Sequence, residues 1–244
     1  MGSGVLEKLV APVVHGVHSV HPDALPLDRA APGLRAALGR EGSLAAAVRH
    51  LRDAAPAGSA VAGIRGGVHR LVTELVADLE TYGVDVRLGR RVRSVDGLDG
   101  TVVLAAPLES PPGRRIVLAT LVVEAPELDA APRGSGVLVA AGAPGIRARA
   151  LTHSTAKWEW LRERAGGRHV LRLSYDDEPQ DLAAAALQDA SALLGVALPE
   201  PVDFARVEWT RSTGGTADVG ESVAGSGLAG IIAQATAKAD ELLG

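Results

Sequence analysis

Residues Gly225-Ser226-Gly227-Leu228-Ala229-Gly230 spell GxGxxG between an extended stretch and a helical one, and only 14 residues follow them in the 244-residue chain. That shortage constrains the fold more than the motif does. A dinucleotide fingerprint of this kind opens a strand–helix–strand unit and needs an acidic residue about 20 positions further on for the ribose. Neither can be accommodated, so the motif does not open such a unit. Two readings remain: a tight structural turn, or a glycine turn that lets a helix N-terminus approach a cofactor ring or a phosphate. The overlapping Gly220-Glu221-Ser222-Val223-Ala224 falls one residue short of the GxSxG nucleophile elbow. That elbow takes its acid and histidine from positions after the serine. The last histidine here is His169, so serine-hydrolase chemistry is set aside.

Upstream, hydrophobic periodicity divides the chain. Residues 1–57 read as helical, with leucines at helical spacing through LRAALGREGSLAAAVRHLRDAA, and they end in the small-residue stretch Ala55–Ser59. After Gly63-Ile64-Arg65-Gly66-Gly67 comes a helix in which Leu71, Leu75 and Leu79 repeat every fourth residue until Gly83 stops it. Val84, Val86 and Leu88 then alternate, and TVVLAAP follows two glycines, which predicts a hairpin. From 111 to 180 the pattern is strand-rich, interrupted by the aromatic KWEWLRERAG. A polar helix over 181–194, a strand near DFARVEWT, and a closing strand, glycine turn and helix complete the order. The expected class is α/β in the α+β sense: two interleaved lobes built of segments 1–57, 58–108, 109–200 and 201–244. With aromatics at 2% of the chain, the core is expected to be Ala, Val and Leu, with Trp158, Trp160 and Trp209 as its bulky members.

Charge and composition exclude several functions. A formal charge of -4 with acids and bases interspersed gives no footprint for nucleic acid or an anionic membrane. No apolar run reaches the length of a membrane span, and the N-terminus has no signal-peptide pattern, which predicts a cytoplasmic protein. The absence of cysteine removes disulfides, thiolate metal sites and a cysteine nucleophile. His15, His18 and His21 recur every third residue, but Pro12, Gly16 and Pro22 break the segment, and no carboxylate except Asp23 clusters there. Loop histidines are expected rather than a metal site. Arg87, Arg90, Arg91 and Arg93 line one extended segment, and Arg114, Arg115, Arg147, Arg149 and Arg172 lie among later strands. They read as a solvated face from which a subset could pair with an anionic ligand.

Several phrases together resemble one family. LEKLVAPVVHGVHSVHPDALPLDRAAPGL (7–35), AGIRGGVHRLVTELVADLETYGVDVRLGRRVRSV (62–95), VVLAAPL (102–108), LTHSTAKWEWL (151–161) and DVGESVAGSGLAGIIAQATAKADELL (218–243) are similar, in order and spacing, to the flavin-dependent protoporphyrinogen and coproporphyrinogen oxidases of the flavin amine oxidase superfamily. The resemblance implies an FAD-binding lobe interleaved with a mixed-sheet substrate lobe. It implies Val92 at the adenine, Gly220 and Glu221 near the ribityl-pyrophosphate, and Ser226, Gly227 and Leu228 against the isoalloxazine. The implied activity is oxygen-using oxidation of a porphyrinogen in heme biosynthesis; no catalytic side chain and no metal ligand is implied.

The family's opening strand–GxGxxG–helix unit has no counterpart in these residues, so Met1 reads as an internal methionine of such a protein and the chain as truncated. The alternative is a non-catalytic domain that binds a tetrapyrrole or a protein partner without stable FAD. A truncated flavoprotein lobe is expected to expose an apolar face, which predicts self-association or a homo-oligomer.

Overall fold

The computed structural model describes residues 2–18, 21–54, 62–109, 113–212, 215–225 and 227–244. In chain order the elements are α1 (Ser3–Val5), a π-helical turn (Leu6–Val10), α2 (Ala11–His18), a 3-10 turn (Pro22–Ala24), α3 (Leu27–Ala30), α4 (Leu34–Glu41), α5 (Leu44–Asp53) and α6 (His69–Thr81). They continue with β1 (Gly113–Val123), a 3-10 turn (Pro126–Ala130), β2 (Gly136–Leu138), β3 (Ala150–His153), α7 (Ser154–Lys157), α8 (Glu159–Ala165) and β4 (His169–Tyr175). The last four are α9 (Leu182–Leu194), β5 (Asp203–Ser212), α10 (Glu221–Ala224) and α11 (Leu228–Leu243). The fold is mixed α and β. Two compact units are present: Met1–Glu74 with Leu118–Val207, and Leu75–Val117 with Glu208–Gly244.

The first unit holds the core. Its N-terminal part is helical, as the leucine spacing predicts. Gly33, at φ 80, turns the chain into α4, and the Ser43 hydroxyl caps α5 by accepting from Ala46 N at 3.2 Å. Ala37 and Ala47, fully buried, are small enough for α4 and α5 to pack closely. The five strands form one sheet in the order β2-β3-β4-β1-β5. β3 is antiparallel to both β2 and β4, with Leu151 opposite Val137 on one side and opposite Leu173 on the other. Alternation in β1 buries Val117, Ala119, Leu121 and Val123 completely, and β4 buries Leu171, Leu173 and Tyr175. Each such leucine contributes roughly 1.5–3 kcal/mol of burial.

Helix α9 lies against β4, with its N-terminus capped by the Asp181 carboxylate accepting from Ala184 N at 3.0 Å. The sequence predicts a polar helix here. Instead, Leu182, Ala185, Ala186, Ala190, Leu193 and Leu194 are buried, because the alanines let this helix sit close to the sheet. The predicted tryptophan core is also corrected. Trp209 is 42% exposed, and Trp158 and Trp160 are half-buried, so Tyr175 is the one large aromatic among the fully buried side chains of the described residues.

In the second unit, Gly83 at φ 72 ends α6 as predicted: Val84 N donates to Leu79 O at 3.1 Å and Gly83 N to Glu80 O at 3.0 Å. The predicted hairpin does not form. No strand is present among the described residues from 84 to 109, nor over 215–219 immediately ahead of the closing turn. Alternation supplies a strand's apolar face, but a strand also needs a neighbour for its backbone groups.

Candidate functional site

The closing turn of the second unit is built by backbone contacts that only glycine allows. Gly220 has φ 101, and a Cβ placed there would lie 2.5 Å from Ala105 O, inside contact distance. Around that approach the two segments are stitched together. Leu104 N donates to the Asp218 carboxylate at 2.8 Å, while Asp218 N and Val219 N donate to Leu104 O at 2.8 and 3.1 Å. From α11, Gln234 completes the clamp, accepting from Gly220 N at 3.2 Å and donating its amide to Asp218 O at 2.8 Å. Val223 N and Ala224 N then fold back to Gly220 O, making α10 a single turn that starts at Glu221.

Beyond α10 the chain opens out. Gly225 (φ 77) and Gly227 (φ 127) have nothing within 4 Å of a hypothetical Cβ. Gly227 is the N-cap of α11, and that end carries neither a side-chain cap among the described residues nor an acidic residue in its first turn. Leu228, the first residue of the helix, is 51% exposed. The positive end of a 16-residue helix therefore follows two glycines with open space around them among the described residues. The structure thus brings Gly220, Glu221, Gly227 and Leu228 onto one turn; Ser226 lies outside the described residues. Val92 lines a shallow concavity of about 520 Å³ with Gly89, Arg90, Arg91, Pro107 and Leu108, and the segment 104–108 links that concavity to the turn.

The described part of the turn has the features that a flat aromatic cofactor would require. Its ring needs close backbone approach and hydrogen-bond donors at a helix N-terminus, and open glycines ahead of an uncapped helix supply both. The Gly220 N–H is taken by Gln234, so the role of Gly220 is the close packing on Ala105.

Two polar networks in the first unit escape sequence reading. His153 and His169, 1% and 6% exposed, meet across β3 and β4 with His153 Nε2 3.0 Å from His169 Nδ1. Burial first, and the neighbouring His169 second, push the His153 pKa down to about 4, so its ring is neutral near pH 7. His169 Nε2 is 3.3 Å from the exposed Asp129 carboxylate. The second network centres on Asp189 of α9, which accepts from Ala148 N at 2.8 Å, Arg147 N at 3.2 Å and Tyr175 Oη at 3.1 Å. Burial and the Asp189 charge raise the Tyr175 pKa. The available signal was His169 sharing period-two alternation with Leu171, Leu173 and Tyr175, and a lone acid inside an alanine-rich helix. Among the described residues no group of three potential metal ligands occurs, and no helix is long and apolar enough to cross a membrane.

No protein-family model matches the chain. Coproporphyrinogen III oxidases of Mycobacterium bovis and Mycobacterium tuberculosis are 31% identical to it over 242 residues, covering 85% of this chain and 52% of theirs. The chain therefore spans about half the length of the curated relatives it matches. A solved structure from Exiguobacterium sp., named for protoporphyrinogen oxidase, matches with a TM-score of 0.67 at 17% identity, over 98% of this chain and 63% of that one. At that identity the likeness establishes the fold.

Proposed function

We propose that this chain is a porphyrinogen-oxidase-type polypeptide whose turn 218–230 covers the isoalloxazine of FAD, in the oxidation of coproporphyrinogen or protoporphyrinogen to the porphyrin by oxygen. When bound, the flavin supplies the redox chemistry, accepting hydride equivalents from the macrocycle and passing electrons to oxygen. The chain's own part is positional. Gly227 and the N-terminus of α11 offer close backbone approach and a positive dipole to the ring; Gly220 and Gln234 anchor the turn; Val92 and the concavity beside it take the adenine end. The observation that carries the reading is the glycine-dependent clamp at Gly220, which ties the start of the closing turn to Ala105 and to Gln234 of α11. The similarity to the mycobacterial coproporphyrinogen III oxidases supports the substrate class. The proposed arrangement keeps the segments 1–57 and 109–200 as substrate lobe and 58–108 with 201–244 as flavin lobe.

The reading is tested by titrating FAD into the purified chain, following flavin absorbance and fluorescence, and then adding each porphyrinogen under air while recording porphyrin fluorescence. Flavin uptake with porphyrin formation supports an autonomous oxidase. A colourless protein that gains no flavin signal discards it and favours the second reading, a tetrapyrrole- or protein-binding domain without stable FAD. That alternative draws on one observation: the described residues present Glu221, a carboxylate, and an already occupied Gly220 N–H where phosphate donors would be needed.

A further inference from the structure

Two imidazoles stand side by side in an interior built largely of alanine, leucine and valine, at the corner where β3 ends and α7 begins. His153 closes β3 and leads into α7, and His169 opens β4. Their contact uses one nitrogen of each ring; the other two, His153 Nδ1 and His169 Nε2, are buried with no hydrogen bond among the described residues. Native interiors leave few polar atoms in that state, because each forgoes its bonds to water. An apolar side chain would fill the corner without that cost, so packing alone does not account for the pair.

The same corner carries two further joints. Val170 N, next to His169, donates to the buried Thr155 hydroxyl of α7 at 3.3 Å. Trp158, which ends α7, packs on Gly63, and two residues on Arg65 reaches Glu163 of α8 at 2.6 Å. Whatever parts α7 from the start of β4 therefore also disturbs the seat of Trp158.

Charge around the two rings is one-sided. His169 Nε2 has the exposed Asp129 carboxylate of the 3-10 turn at 3.3 Å, and Glu127 of that turn is exposed. Toward His153 the neighbouring elements offer no free anion among the described residues. β2 has no ionisable side chain, and α7 brings only Lys157, whose Nζ lies 5.2 Å from the Trp158 ring centre. On β4, Arg172 is exposed on the opposite face and Tyr175 is bonded to Asp189, the acid of α9, which also accepts from Arg147 N and Ala148 N. The acids of α8 and the end of β1 are engaged: Glu159 with Arg162, Glu163 with Arg65, Glu124 with Arg168. One positive charge on the pair has Asp129 to face; a second, on a ring touching the first, has nothing.

We propose that His153 and His169 form an acid-operated latch: they hold α7 against the start of β4 while at least one ring is neutral, and a proton on both parts them, loosening α7 and lifting Trp158 from Gly63 while β1 and α9 stay packed. The device belongs to the first unit and is independent of any flavin. Its pH range follows from the inner ring. Burial first, and His169 second, hold the His153 pKa at about 4 against 6.5 for a free histidine. Between those values the open corner takes a proton that the closed corner refuses, so the open fraction grows as pH falls, by about a hundredfold from about pH 7 to about pH 4.

The test is hydrogen exchange of the full chain over that pH range, corrected for the intrinsic rate and repeated in low urea. At α7 and Val170 the opening equilibrium is expected to rise about a hundredfold and to be nearly insensitive to urea, as a local opening is, while β1 and α9 exchange only through a urea-sensitive transition. His153→Gln flattens the pH response. Thr155→Val, which keeps both rings and removes the acceptor of Val170 N, speeds exchange at α7 by about tenfold at every pH with the slope retained. In a chain carrying Trp160→Phe and Trp209→Phe, acrylamide reaches Trp158 more readily over the same range. Exchange at α7 that ignores pH, that follows the urea-sensitive transition of β1, or that keeps its slope in His153→Gln overturns the proposal, as does a Trp158 equally quenched at both ends of the range.

Discussion

Acidification should weaken the first unit through one side chain. His153 is 1% exposed, with its ring against His169, and its pKa in the folded chain is about 4 against 6.5 for a free histidine. Between those values the unfolded chain binds a proton that the folded chain refuses, so stability falls as pH falls. The contribution is fully present above about pH 6.5 and is lost progressively toward pH 4. At about 1.4 kcal/mol per pKa unit, roughly 2 kcal/mol is gone at about pH 5 and roughly 3 kcal/mol at about pH 4.

The assay is urea unfolding followed by tryptophan fluorescence at a series of pH values, comparing the native chain with His153→Gln. The variant starts lower near neutrality but loses about 2 kcal/mol less on going to about pH 5. His169→Gln, measured in parallel, separates the second ring and its Asp129 neighbour from the first. Parallel pH profiles for the native chain and His153→Gln, or a ring-proton titration of His153 near the free value, would refute the reasoning.

Asp189→Ala leaves two backbone N–H groups and the Tyr175 hydroxyl without their acceptor inside the first unit. It should cost about 3–5 kcal/mol in denaturant unfolding, and a loss under about 1 kcal/mol contradicts this. Gly136→Ala places a Cβ 2.4 Å from Leu151 O at φ 154; hydrogen exchange should show the pairing of β2 with β3 released while β4 stays protected. Gly220→Ala meets Ala105 O at 2.5 Å and should detach 104–105 from 218–220 without lowering the unfolding midpoint of the first unit; an unchanged exchange pattern at Leu104 and Val219 would contradict it.

How far the sequence carried the fold depended on where each element finds its partners. Helix α6 and its stop at Gly83 were legible because repeat and stop signal lie within one short segment, and the same holds for Asp181 opening α9. β1 was legible as the start of the strand-rich stretch from 111, and the fold buries every second residue from Val117 to Val123. Alternation misled at 84–107, where the apolar face is present but the ladder partner is not among the described residues. The tryptophans misled for another reason. Alanine, leucine and valine fill the buried positions of the sheet and α9, and Trp158 packs instead against Gly63, where a Cβ would sit 2.9 Å from the ring. The paired histidines stayed hidden because their meeting depends on the β3–β4 register, which places His153 opposite Leu171 and so diagonal to His169. At the closing turn the glycines were legible as a close approach, but the partner in that approach, Ala105, lies far back in the chain.

The most direct test of the closing turn is an FAD titration into the purified chain, read by the visible flavin spectrum, comparing the native sequence with Gly227→Val. A perturbed flavin band that the variant loses is the expected result. An unperturbed band, or one that responds equally when a valine stands at that glycine, contradicts the account.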